Sequence, residues 1–341
     1  MRAGKIANAR RERSMPRMKA IRVEEFGGPE VLKVAEAERP SPGEREVLVE
    51  VRAIGVNYAD TMRRQNKYVL RQEAPFVPGS EVAGVVAETG PGAENVSEGD
   101  RVVTLLGTGG YAEYAVAPAQ NLIPIPDGLD FDEAAAIPLQ GLTAYHVIAT
   151  SGMLQEGESV LVHAAAGGVG YLAVQMAKLL GAGLVVATAS TQEKLDMAKE
   201  LGADVLVNYT EEDWPDKVRE ATGGKGADVI LEMVGGDFVQ QNLRCLNAFG
   251  RMVVYGAASG ERGTLVPVDL MRKNQTVTGF FLPRLMSRPD LLGDSLRQIL
   301  GLISSGQIKL NIGVHYALSE AHEAHRALEG RETTGKIVLN P

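Results

Sequence analysis

Between Met18 and about Pro126, apolar and polar residues alternate in short runs. Val47–Ile54 reads VLVEVRAI, the period-two pattern of a strand with one buried face. Ser80–Glu88 and Arg101–Leu106 are two further predicted strands, separated by the turn-rich segment GPGAENVSEGD. Pro- and Gly-rich breaks at 40–43, 75–79, 90–92 and 107–110 punctuate the region, which reads as an antiparallel β-rich domain. After Asp127 the pattern changes. A helix is predicted over Asp132–Ala149, and strands then alternate with helices at βαβ spacing. Val160–Ala164, Leu184–Thr188, Asp204–Asn208, Asp228–Met233 and Arg251–Tyr255 read as strands, with helices at Val169–Leu180 and Gln192–Leu201. Nearly continuous apolar strands of this kind are buried on both faces, which implies a parallel sheet covered by helices. A strand-like run at Thr276–Leu282 precedes an amphipathic helix near Leu291–Ser304. The tail, Gly335–Leu339, reads as an edge strand returning to the first domain.

Composition narrows the class. At about 150 residues per domain, 341 residues suggest two domains, and 45% hydrophobic with 23% charged residues is a globular balance. No run approaches the ~18 apolar residues of a spanning helix. The single cysteine, Cys245, excludes a disulfide framework and a cysteine-rich zinc cluster, so a soluble cytoplasmic protein is expected. Charge is uneven. Arg2, Lys5, Arg10, Arg11, Arg13, Arg17 and Lys19 against Glu12 give the leader +6, leaving −14 for the rest of a chain whose net charge is −8. An acidic body argues against a nucleic-acid groove. Residues 1–17 are read as a basic extension outside the fold, expected to be disordered. A dispensable start, a targeting segment and a surface-binding arm all remain open for it.

The sharpest motif is VLVHAAAGGVG, Val160 to Gly170, a strand passing through small residues into a helix. Ala165, Gly167 and Gly170 stand at the G-x-G-x-x-G offsets, and Ala166, Gly168 and Val169 complete the turn. Small residues let backbone approach a pyrophosphate, which the helix N-terminus attracts. An NAD site usually has an acid at the end of the second strand, where this chain has Ala187-Thr-Ala-Ser190, followed by Lys194. A missing carboxylate and a nearby lysine favour the 2′-phosphate of NADPH.

Glu25–Leu32, Gly55–Asp60, Pro78–Glu81, Gly99–Val102, Gly141–Thr143, His163–Gly170, Asn208-Tyr209 and Gly330–Lys336 occur in an order that resembles a known family. This is the zinc-independent, zeta-crystallin-like quinone oxidoreductase family of the medium-chain dehydrogenase/reductase superfamily. The resemblance implies an α/β fold. A doubly wound Rossmann domain (141–280) would be held by a β-rich GroES-like catalytic domain formed from both chain ends (18–140 and 281–341). It also implies a homodimer and NADPH as hydride donor. Carried over by position, Ser190, Lys194, Tyr209 and Arg331 would surround the 2′-phosphate. Val254, Tyr255, Gly256, Phe281 and Leu282 would line the nicotinamide.

Zinc-dependent relatives carry a Cys and Gly-His-Glu. Here the matching segment is Gly79-Ser80-Glu81, no cysteine lies near Asn57, and the five histidines show no zinc-site grouping. His322 and His325, three apart on a helix, would permit a metal pair, but a surface or core role is the expectation. Without that Lewis acid, the suitable acceptors are already electrophilic: quinones or α,β-unsaturated carbonyls, which spread the added charge onto oxygen. Asn57, Tyr68 and Thr143 are the candidates to position the acceptor and stabilise that oxyanion, with Asp60 in support. Tyr68 aligns with a proton-donating tyrosine of enoyl-thioester reductases. Tyr111 is a weaker candidate, and Glu81 is expected to be structural. Three readings stay open: quinone reduction, reduction of the C=C bond of a 2-alkenal, enone or enoyl thioester, and a binding role without catalysis. The thioester reading would draw on a basic approach made by Arg63, Arg64, Lys67 and Arg71.

Overall fold

The computed structural model describes residues 16–341, so the basic extension lies outside the described residues except for Pro16 and Arg17, which opens the strand Arg17–Arg22. Six strands form a parallel sheet in the spatial order Val205–Asn208, Leu184–Ala189, Ser159–Val162, Ala227–Glu232, Leu246–Val254 and Thr276–Gly279. Numbered along the chain this is 3-2-1-4-5-6, the doubly wound order, with its switch point beside Ser159–Val162. That strand, SVLV, is buried at every position. Helix Gly170–Leu179 hides eight of its ten residues because helix Pro138–His146 packs on it, and helix Pro289–Ser304 packs in turn on Pro138–His146 within the same hydrophobic core.

A seven-stranded sheet draws on both ends of the chain. Its order is Ile312–Ala317, Lys336–Asn340, Glu46–Val56, Glu81–Thr89, Arg101–Leu105 and Ile123–Pro124, with Tyr114–Pro118 also paired to Glu46–Val56. The C-terminal strand returns to the first domain, but as an interior strand rather than an edge. It runs antiparallel to Glu46–Val56 on one side and parallel to Ile312–Ala317 on the other. Its apolar run Ile337–Leu339 is buried throughout, which suits an interior place.

Two other expectations change. The helix over Asp132–Ala149 is broken into Phe131–Ala135 and Pro138–His146, followed by a π-helical turn over Val147–Ser151. Pro138 has no N–H to continue the first helix, so it starts the second. The strand at Thr276–Leu282 stops at Gly279, since Leu282–Leu285 is a single helical turn with Pro283 in its first positions. Cys245 ends helix Phe238–Cys245 in the core, where burial pushes its thiol pKa up to about 12.

Candidate active site

The dinucleotide turn follows the first parallel strand. Gly167 N–H donates to the Ala164 carbonyl at 2.8 Å and Ala165 N–H to the Thr188 carbonyl at 3.0 Å, so the turn is tied to itself and to the neighbouring strand. Gly170 must lack a side chain: a Cβ there would stand 2.2 Å from the Ala164 carbonyl oxygen. Gly168 is less constrained, since a Cβ there would meet only the end of the Gln140 side chain, at 2.0 Å.

The other predicted cofactor residues gather at the carboxyl ends of the same strands, where a doubly wound sheet opens its crevice. Ser190 follows Leu184–Ala189 and Tyr209 follows Val205–Asn208, while Val254, Tyr255 and Gly256 leave the fifth strand and Phe281 the sixth. Tyr209 packs edge-on to Phe238, with ring centroids 5.7 Å apart. Leu282 turns its side chain into the core, leaving its backbone for the cleft. Lys194 comes from helix Gln192–Glu200, and its ammonium donates to the Arg331 carbonyl at 2.8 Å. Sequence positions 137 residues apart thereby meet at the mouth of the crevice. The Arg331 side chain is exposed beside them.

Asn57, Asp60 and Tyr68, three of the four catalytic candidates, come from the β-rich domain. Asn57 caps helix Tyr58–Arg64, and its N–H donates to Asp60 Oδ2 at 3.0 Å. Both amide hydrogens of Asn57 are committed, to Glu81 Oε1 at 2.7 Å and the Gly55 carbonyl at 3.2 Å, while its Oδ1 accepts from Lys336 Nζ at 2.9 Å. In this arrangement Asn57 has no hydrogen left for a substrate oxyanion. Asp60 is fully buried and also accepts from Ser80 Oγ at 3.1 Å and the Tyr111 hydroxyl at 3.4 Å. Burial raises its pKa, against the pull of Arg63, the Asn57 N–H, Lys336 and Ser80. Thr143 lies on helix Pro138–His146, and its hydroxyl donates to the Leu139 carbonyl at 2.6 Å.

Tyr68 differs from these. Its ring packs against Phe281 with centroids 5.9 Å apart, so one domain's tyrosine faces the end of the other domain's sixth strand. The Arg63 guanidinium sits 4.7 Å from the ring centroid. Burial raises the phenol pKa above 10, and the charge and hydrogen bond of Arg63 only partly offset it. Tyr68 therefore keeps its proton at neutral pH, and among the described residues no acceptor takes that proton.

The basic cluster beside Tyr68 is not an open approach. Arg63 is 7% exposed and donates to the Gly107 carbonyl, while Arg64 is 1% exposed and pairs with Glu329 at 2.6 Å. Arg64 also reaches the Gly27 carbonyl at 3.1 Å and His325 Nδ1 at 3.2 Å. Lys67 and Arg71 alone are exposed. Tyr111 is fully buried and lies 3.0 Å from His325 Nε2, which places both in structural support. His325 is consumed there, while His322 lies exposed against Glu323, so the two do not converge. Among the described residues no three His, Cys, Asp or Glu side chains cluster as a metal site.

Two family models match the chain: an alcohol dehydrogenase GroES-like domain over residues 43–127 and a zinc-binding dehydrogenase over residues 168–297. A quinone oxidoreductase from Pseudomonas aeruginosa is 38% identical over 328 residues, spanning 95% of this chain and 99% of that protein. The chain belongs to the quinone oxidoreductase family of the medium-chain dehydrogenase/reductase superfamily. A 2-haloacrylate reductase from a Burkholderia species is 37% identical over 92% of this chain and 96% of its own length. A solved Escherichia coli quinone oxidoreductase, complexed with NADPH, superposes with a TM-score of 0.89 at 36% identity, covering 95% of this chain and 99% of that one.

Within this quinone oxidoreductase fold, three residues escaped the sequence reading. Gln140 meets Gly168, Tyr58 donates its hydroxyl to the Ala258 carbonyl across the cleft at 2.9 Å, and Lys336 is buried beside Glu81. A signal existed for the last pair. Lys336 and Glu81 are opposite charges at the heads of two strands of one sheet, each followed directly by an apolar run.

Proposed function

We propose that this protein is an NADPH-dependent, zinc-independent oxidoreductase that delivers hydride to a quinone. The observation that carries this reading is the aromatic wall made by Tyr68 and Phe281, which stands just past the carboxyl end of the sixth parallel strand. Such a wall suits a flat, electrophilic acceptor laid over a nicotinamide.

The residues fit a phosphorylated dinucleotide. The turn tolerates no Cβ at Gly170, strand Leu184–Ala189 ends without an acid, and Lys194 offers a cation there. Ala165–Gly170 would hold the pyrophosphate. Ser190, Lys194, Tyr209 and Arg331 would hold the 2′-phosphate, and the backbone of Val254–Gly256 and Phe281–Leu282 would hold the nicotinamide. NADPH supplies the hydride. On the protein side, Tyr68 holds its proton toward the nascent oxyanion, and Arg63 fixes the ring. Asn57, Asp60 and Thr143, with their hydrogens committed to protein acceptors or, for Asp60, none to give, shape the pocket floor. Zinc independence rests on the chain's donor set: Ser80 stands where zinc-dependent relatives carry His, and no cysteine lies near Asn57.

A second reading, reduction of a small activated C=C bond, is favoured by the uncommitted Tyr68 proton and by the 2-haloacrylate reductase relative. Burial of Arg63 and Arg64 removes the basic approach that an enoyl thioester would use.

The test is NADPH oxidation with benzoquinone, phenanthrenequinone, a 2-alkenal and crotonyl-CoA, chelator present. Turnover confined to the quinones is expected. Preference for the alkenal would establish the second reading, and silence across the panel with NADPH still bound would leave a binding protein.

Assembly and location follow the same proposal. The edge strand Thr276–Gly279 is preceded by exposed Val266, Val268 and Met271, a surface suited to a homodimer. Among the described residues no helix is long and apolar enough to cross a membrane. A reducing cytoplasm suits a chain whose one cysteine is a buried thiol.

A further inference from the structure

The cleft contains an ion pair for which the proposed chemistry has no direct use. Lys336 and Glu81 are paired with both side chains wholly buried. The three ammonium hydrogens of Lys336 have three acceptors: Glu81 Oε1, Asn57 Oδ1 at 2.9 Å and, with the Gln140 amide oriented to satisfy its neighbours, Gln140 Oε1 at 3.2 Å. The Gln140 nitrogen then donates to the Gly168 carbonyl at 3.1 Å. The second oxygen of Glu81 accepts the Leu139 N–H at 2.7 Å, one residue from Gln140. Beside this chain of contacts, Gly335 N–H donates to the Ala166 carbonyl at 3.0 Å. The head of the last strand is thus tied twice to the dinucleotide turn and once to the Asn57 loop on the acceptor side.

We infer that Lys336 is a positioning residue for hydride transfer. Through Gln140 it fixes the turn that carries the donor, and through Asn57 and Glu81 it fixes the loop that leads to Tyr58 and Tyr68. The inference rests on reading the turn as the NADPH site. Apolar packing alone would leave these two surfaces free to slide, whereas a buried pair with every hydrogen placed allows one register. Hydride transfer is sensitive to that register, since a 1 Å error between reacting atoms costs about 100-fold in rate.

Lys336→Met alone strands the Glu81 carboxylate, so the informative protein is the doubly neutral Lys336→Met/Glu81→Gln. In steady state with phenanthrenequinone, its kcat is expected to fall about 100-fold, with the dissociation constant for NADPH, read by nicotinamide fluorescence, moving less than about fivefold. Substituting deuterium at C4 of NADPH is expected to slow the variant more than the wild-type protein, because transfer itself has become limiting. A merely structural pair lowers activity with the melting temperature and leaves the isotope effect alone; that pattern, or a kcat within about threefold of wild type, overturns the inference. The wild-type protein in the same assay separates the two ideas. If it is inactive, both the function and the positioning role fall, whereas an active wild type beside an unimpaired variant removes only the positioning role.

Discussion

On the proposed function, the choice of cofactor turns on Lys194. Its ammonium already reaches the Arg331 carbonyl, so the cation is held at the crevice mouth and not swinging in solvent. One charge-assisted contact to phosphate is worth roughly 1–2 kcal/mol, about 5–30-fold. Lys194→Ala is expected to raise the apparent constant for NADPH by that factor and to leave NADH within about twofold; an equal effect on both would remove Lys194 from phosphate recognition. Tyr68 decides between acceptor classes. A hydroquinone anion leaves the site and takes its proton from water, but an enolate needs an acid beside it. Tyr68→Phe is therefore expected to cost about 100-fold on a 2-alkenal and less than about tenfold on benzoquinone. At this scale the sequence showed which residues gather but not how their hydrogens are spent. Asn57 was a candidate from the sequence to stabilise the oxyanion, and the structure shows its amide consumed by Glu81 and Gly55 instead. Arg63 and Arg64 read as part of an open basic approach because a sequence does not reveal that Glu329 and the Gly107 carbonyl wait for them.

At the scale of elements, the strand–turn–helix from Ser159 to Leu179 was readable because each of its parts has one dominant physical demand: apolar in the strand, small in the turn, buried over the first eight residues of the helix. Gly170→Ala tests the turn directly. The added Cβ meets Ala164 and Ala165 backbone within 2.8 Å, which no rotamer change relieves. The expected result is a loss of about 1–3 kcal/mol in stability by denaturant titration, together with weakened NADPH binding. Normal values for both would mean that the turn yields more easily than its contacts suggest. Strands that depend on distant partners were less legible. Ile312–Ala317 exposes alternate residues and contains His315 and Tyr316, so it lacked an apolar run. Its pairing with Lys336–Asn340 is what makes the C-terminal strand interior.

Across the whole molecule, buried histidines set an acid limit. Burial, with Arg64 adding repulsion, depresses His325 to about 3, and burial also lowers His163 and His146. A histidine whose folded pKa lies below its unfolded 6.5 stays neutral in the native state, while the unfolded chain takes up a proton first. For His325 that contribution is complete above pH 6.5 and drains as pH falls from 6.5 toward about 3, at ~1.4 kcal/mol per pH unit, and His163 and His146 add losses of the same sign. Denaturant midpoints are expected to be flat from pH 8 to 7 and to drop between pH 6 and 5. His325→Asn, less stable at pH 8, is expected to lose less over that acid range. A midpoint independent of pH would show that these side chains are solvated.

On the proposed function both domains bear on one event, the passage of hydride from NADPH to a quinone between Tyr68 and the dinucleotide turn. The direct measurement is a single turnover: protein loaded with one equivalent of NADPH, chelator present, mixed rapidly with phenanthrenequinone. Oxidation of all the bound NADPH with formation of an equal amount of hydroquinone, slower when C4 carries deuterium, is the expected outcome. If bound NADPH survives the quinone but is consumed by a 2-alkenal, or survives both, the protein is not a quinone reductase.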